Sequence, residues 1–222
     1  MIDNDFPESP KYPKVNITTL IQRGNDLFAA CRRDRPELEA RGLRWQEVET
    51  LGRLVEACSE AESLWRLERE KRTRVRQKLD GYVAECRRFR NGIVRQLRIT
   101  NETVSTDFPV PHFGKNGGRA EITQDLHDLH VLLRTHNRPV HGKLPIDPAL
   151  GDQAYERSQK LSALSASVVL NRKRSDDLKH RRDILCSRIS FLIQTICGYG
   201  RQLFKNDPRR QDYYSGKPRT AK

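Results

Sequence analysis

No apolar run in this chain approaches the ~20 residues that a membrane-crossing helix needs; its longest, such as Ser165 to Leu170, falls far short. The 14 residues from Met1 to Lys14 carry Asp3, Asp5, Glu8 and three prolines in place of the cationic start and apolar core of a secretory signal. Cysteines are few and never paired as Cys-x-x-Cys. Cys31, Cys58, Cys86, Cys186 and Cys197 stand singly and are odd in number, which suggests neither a disulfide framework nor a zinc ribbon. Buried thiols in a reducing compartment are the simplest expectation, and the chain is expected to be cytoplasmic.

Catalytic signatures are missing as well. There is no Gly-x-Ser-x-Gly, no His-Glu-x-x-His, and no glycine-rich loop followed by Gly-Lys-Ser/Thr. The Gly117-Gly118 pair before a predicted helix has no strand ahead of it, so it reads as a linker. No cofactor and no small-molecule substrate is indicated, and the chain is expected not to be an enzyme.

Proline is missing where it matters most. None occurs between Pro36 and Pro109 or between Pro148 and Pro208. Since proline removes a donor and clashes with the preceding turn, these windows are where long helices can run. Both carry the required periodicity. In the first, Leu51, Leu54, Cys58, Ala61 and Trp65 recur at three and four residues, and Val75, Leu79, Tyr82, Cys86, Phe89, Ile93 and Leu97 resume the phase. In the second, Leu161, Leu164 and Val168 are followed by Leu178, Arg182, Leu185, Ile189, Leu192 and Ile196. Each helix is expected to run ~50 residues, or ~75 Å if unbroken, with a kink allowed at the polar middle or at Gly81.

Two shorter helices precede the long ones. Ile17, Leu20, Ile21, Leu27 and Phe28 make one apolar face, and Ile122, Leu126, Leu129 and Leu133 make the other. Asp147-Pro148 is a start signal for the second long helix, and Lys205-Asn206-Asp207-Pro208 a stop.

The two halves also echo each other. Asp5-Phe6-Pro7 recurs as Asp107-Phe108-Pro109, Asn16-Ile17-Thr18 aligns with Glu121-Ile122-Thr123, and Gly92-Ile-Val-Arg-Gln-Leu97 with Gly198-Tyr-Gly-Arg-Gln-Leu203, at offsets of 102, 105 and 106. Leu79 then maps onto Leu185 and Val83 onto Ile189. The expectation is an all-α, up-and-down four-helix bundle with long second and fourth helices. It would be built from two tandem hairpins by internal duplication, over 1–105 and 106–222. These hairpins, the Gly-x-x-Arg-Gln-Leu ends and the tail Asp212-Tyr-Tyr-Ser-Gly-Lys-Pro-Arg-Thr220 resemble a group of uncharacterised bacterial helical-bundle proteins. The resemblance implies the fold and no activity.

Charge supplies the remaining leads. Lys and Arg outnumber Asp and Glu by 42 to 29, for a net charge of +13, which makes a polyanion a plausible partner. Arg66 to Arg98 holds twelve cations against four acids, and Arg69, Arg72 and Arg76 share a face suited to a phosphate backbone. Glu68 and Glu70 offset part of that charge at four-residue spacing, and Tyr82 and Phe89 fall on the core stripe.

Five of the six histidines lie between His112 and His141, and His127 and His130 are helix neighbours with Asp125 nearby. That spacing can begin a metal site, although it lacks a third and fourth ligand, and half-exposed histidines making local hydrogen bonds are the simpler account. The leading expectation is a non-enzymatic interaction or structural module that meets a protein partner or a second copy. A nucleic-acid-associated protein and a metal-binding bundle are the alternatives.

Overall fold

The computed structural model describes residues 16–104, 109–114, 117–137 and 146–215, Val104 through its backbone alone. The Asp5-Phe6-Pro7 and Asp107-Phe108 anchors, His141 and the tail from Gly216 onward lie outside them. Among the described residues the chain is all-helical: α1 (Ile17–Arg33), α2 (Arg35–Ala40), α3 (Trp45–Val104), α4 (Arg119–His136), α5 (Ala149–Leu203) and α6 (Pro208–Tyr213). None of these helices is long and apolar enough to cross a membrane.

The two proline-free windows become α3, of 60 residues, and α5, of 55, each helical throughout; the break allowed at Gly81 does not occur. Local chemistry sets the starts. The Asn16 side chain accepts from Thr18 N–H at 2.9 Å to open α1, and Asp147 accepts from Ala149 N–H at 2.9 Å to open α5. Glu121 reaches back to the Gly118 N–H at 2.6 Å at the head of α4. Pro208, which reads as a stop in the sequence, and Pro36, which bounds the first proline-free window, sit in the first turns of α6 and α2. That position has no amide partner to lose.

The chain packs as two compact units. The first holds the residues up to Arg69 and those from Arg174 on. Its core joins Leu20, Leu27, Ala30 and Cys31 of α1 to Val48, Leu51, Val55 and Cys58 of α3 and to Cys186, Ile189, Ile193 and Ile196 of α5. At Gly24 a β-carbon would stand 2.5 Å from Val55 Cγ2, so the absent side chain is what lets α1 come this close to α3. Leu38 of α2, Phe204 and Tyr214 complete this core.

The second unit, Glu70–Lys173, packs Ile122, Leu126, Leu129 and Leu133 of α4 on Leu79, Cys86, Ile93 and Leu97 of α3 and on Ala154 and Leu161 of α5. Large side chains of α4 meet small ones here, since Gly151, Ala154 and Ser158 are the buried positions at the head of α5. Fully burying each leucine contributes about 1.5–3 kcal/mol.

Buried positions repeat with a constant register. Leu20, Gly24, Leu27 and Cys31 of α1 recur 102 residues on as Ile122, Leu126, Leu129 and Leu133. Val48, Leu51, Val55 and Cys58 of α3 recur 103 residues on as Gly151, Ala154, Ser158 and Leu161. Farther along, Leu79, Cys86, Arg90, Ile93 and Leu97 recur at the same offset as Arg182, Ile189, Ile193, Ile196 and Gly200. Residue identity recurs at 102 in the Asp-Phe-Pro anchors and at 105 and 106 within the helices, burial at 102 and 103. Leu79 therefore shares its burial phase with Arg182, and Leu185 is only half-buried.

Candidate functional site

Within the second unit α4 and the head of α5 frame a groove of ≈ 530 Å³ lined by His127, His130, Val131, Arg134, Thr135 and Tyr155. Helical spacing supplies most of this lining. Residues 127, 130, 131, 134 and 135 form pairs three and four positions apart (127/130, 127/131, 130/134, 131/134 and 131/135), on the side of α4 away from Leu126, Leu129 and Leu133. Tyr155 adjoins the buried Ala154 and so emerges at the edge of the packing between the two helices.

The three rings gather. His130 and Tyr155 centroids are 5.0 Å apart, His127 and Tyr155 6.2 Å, and His127 and His130 6.4 Å, all tilted. His130 Nδ1 lies 3.0 Å from the Gly151 carbonyl. Because a carbonyl oxygen only accepts, Nδ1 carries the hydrogen, and a neutral His130 keeps its lone pair on Nε2. Thr135 donates to the Val131 carbonyl at 2.5 Å and stays within its own helix. Val131 and Tyr155 remain 47% and 41% exposed, a large fraction for apolar bodies inside a concavity. The groove combines Val131, the three rings of His127, His130 and Tyr155, and one permanently charged side chain, Arg134.

Asp125, placed with the histidines on sequence grounds, serves the core. Its carboxylate accepts from Arg90 Nη1 at 2.5 Å, and Arg90 is 1% exposed. The same guanidinium donates to the Gly114 carbonyl at 3.1 Å and to Asn91 Oδ1, and lies over the Phe113 ring at 5.5 Å. Asp125 and His127 are two positions apart, a spacing that puts them on different sides of a helix. Among the described residues no three His, Cys, Asp or Glu side chains are grouped to hold a metal.

The basic face is partly consumed by structure. Arg69 is exposed with its guanidinium 5.3 Å from the Trp65 ring centre, Arg72 is half-buried, and Arg76 is exposed with Asp80 at 3.9 Å. Arg69 belongs to the first unit, Arg72 and Arg76 to the second. Arg87 donates to the Gly117 carbonyl at 3.2 Å, so with Arg90 it fastens the segment ahead of α4 rather than facing a ligand.

Tyr155 is the groove residue that periodicity does not reveal. The signal for it is indirect: small residues at 151, 154 and 158 mark where another helix approaches, and an aromatic beside them falls at the rim of that contact. No family model, no curated protein and no solved structure matches the chain.

Proposed function

We propose that the chain is a non-enzymatic helical-bundle interaction module that docks an acidic, partly apolar protein segment in the α4–α5 groove. The observation that carries this is the pairing, in one concavity, of exposed apolar bodies at Val131 and Tyr155 with the cation of Arg134. Apolar side chains rimmed by polar groups mark contact surfaces, and a guanidinium fork matches a carboxylate in shape as well as charge. A net charge of +13 favours an acidic partner over a second copy of the same basic chain.

The reading takes the chain as two tandem hairpins, 1–105 and 106–222, forming an up-and-down four-helix bundle with α1, α3, α4 and α5 as its main helices. The repeated burial phase supports a duplication: one register serves both short helices and one serves the matched buried positions toward each end of the long helices. Chance alignment of amphipathic helices accounts for a single match and not for agreement at both ends of α3.

The test is fluorescence anisotropy with a labelled peptide in which glutamate alternates with leucine, set beside a lysine-leucine peptide and duplex DNA. The acidic peptide should bind saturably and lose affinity as salt rises. Arg134→Glu should weaken it by ~10-fold or more, and Tyr155→Ala should weaken it too. Unchanged binding in both variants removes the groove from the account. Salt-sensitive binding of DNA in preference to the peptide, lost in Arg69→Glu, Arg72→Glu or Arg76→Glu, replaces it with a nucleic-acid function.

A further inference from the structure

Cys58 of α3 and Cys186 of α5 bring their sulfurs to 3.5 Å across the core of the first unit, from positions 128 residues apart in the chain. Both are buried. One turn along each helix stands a charged group: Glu62 follows Cys58, and Arg182 precedes Cys186. Arg182 Nη1 donates to Glu62 Oε2 at 3.1 Å and Nη2 to Asp183 Oδ1 at 2.6 Å, while the guanidinium lies 4.3 Å from the Trp65 ring centre. The pair thus sits beside a cation that ion pairs and an aromatic face hold in place.

We propose that Cys58 and Cys186 are a peroxide-sensitive dithiol that closes reversibly to a disulfide linking α3 to α5. Two thiol sulfurs in contact need a side-chain rotation and a small helix adjustment to reach the ~2.05 Å of an S–S bond. The environment separates the roles. The Arg182 guanidinium one turn from Cys186 favours a thiolate there and the Glu62 carboxylate one turn from Cys58 disfavours one, in the same direction as the lowering of the Cys186 thiol and the raising of the Cys58 thiol by their mutual contact. Cys186 is accordingly the attacking sulfur and Cys58 the resolving one.

The chemistry balances with hydrogen peroxide as the oxidant. The Cys186 thiolate attacks one peroxide oxygen, the S–O bond forms as the O–O bond breaks, and hydroxide leaves to be protonated to water. Cys58 sulfur then attacks the Cys186 sulfenic sulfur, the S–S bond forms as the S–O bond breaks, and the Cys58 proton leaves with the oxygen as a second water. Two thiols lose two electrons and two protons, peroxide takes them up, and a reducing dithiol reverses the result.

The experiment uses the full chain, treated with hydrogen peroxide, denatured in an alkylating agent and analysed by intact mass and peptide mapping. The expected result is a loss of two hydrogens, one cross-linked peptide pair joining Cys58 to Cys186, and reversal by dithiothreitol. Cys31, Cys86 and Cys197, buried like the pair, serve as internal controls and should remain alkylatable. In Cys58→Ser the sulfenic acid should persist on Cys186 and be captured by dimedone. Absence of the cross-link in the wild-type chain, a cross-link through other cysteines, or oxidation that stops at sulfinic acid each overturns the proposal, and the wild-type measurement decides it without any variant.

Discussion

At the turn between α1 and α2, Asp34 takes more hydrogen bonds than any isolated surface carboxylate would need. Arg33 donates through Nε and Nη2 at 2.8 Å each, Arg210 through Nη2 at 2.8 Å, and the Tyr214 hydroxyl at 2.9 Å. Tyr214 is fully buried, stacked on Phe204 at 5.4 Å, and a methyl group at Gly200 would run into its ring. One carboxylate therefore fastens the last helical turn of the described chain to the α1–α2 corner. Burial opposes ionisation of Asp34, but hydrogen bonds from Arg33, Arg210 and Tyr214 outweigh it and hold the carboxyl at about 2 against 3.8 in an open chain. The folded value is the lower one, so the stabilisation is complete above 3.8 and disappears as pH falls from there to about 2. Its size is on the order of 2 kcal/mol. Asp34→Asn should lose about that much in urea unfolding at neutral pH, and its midpoint should converge on that of the wild type in strong acid. A deficit that stays constant across the acid range would mean that shape, not charge, makes Asp34 matter.

At the scale of elements, Leu79 and Leu185 separate what repeats in sequence from what repeats in packing. Their alignment by identity makes them equivalent, yet Leu79 is fully buried and Leu185 half-buried. Leu79→Ala should cost ~2–5 kcal/mol by thermal or denaturant unfolding and Leu185→Ala clearly less, with exposed Arg74→Ala nearly silent. Equal losses at 79 and 185 would restore the identity register of 106 over the burial register of 103. The long helices and their faces were legible because proline-free windows and three-four spacing are properties of a helix by itself. The helices α2 and α6 were not, because Pro36 and Pro208 carry the same sequence signal whether they end one helix or open the next. The Arg90–Asp125 pair was hidden for another reason: periodicity places Asp125 on a face of α4, and only packing brings an arginine of α3 to it. His127 and His130 could be placed side by side from their spacing alone, whereas Tyr155, contributed by a different helix, could not.

At the scale of the whole chain, α3 and α5 each run through both compact units, and each unit keeps its own core and its own buried arginine. Arg182 with Glu62 belongs to the first, and Arg90 with Asp125 to the second. Buried ion pairs add little net stability over apolar replacements, but an arginine left without its acid is costly, so each pair ties correct packing to its own unit. Backbone continuity argues for one unfolding event, and separate cores argue for two. Native-state hydrogen exchange distinguishes them, since cooperative units open with their own free energies. Leu126 is fully buried in the second core, and Leu126→Ala should remove ~2–5 kcal/mol from it. If the cores open separately, amides of Ile122–Leu133 and of Leu79–Leu97 should exchange faster in that variant, while those of Leu20–Cys31 keep their wild-type protection. Loss of protection by the same factor at Leu20–Cys31 would show that the two cores open as one cooperative unit.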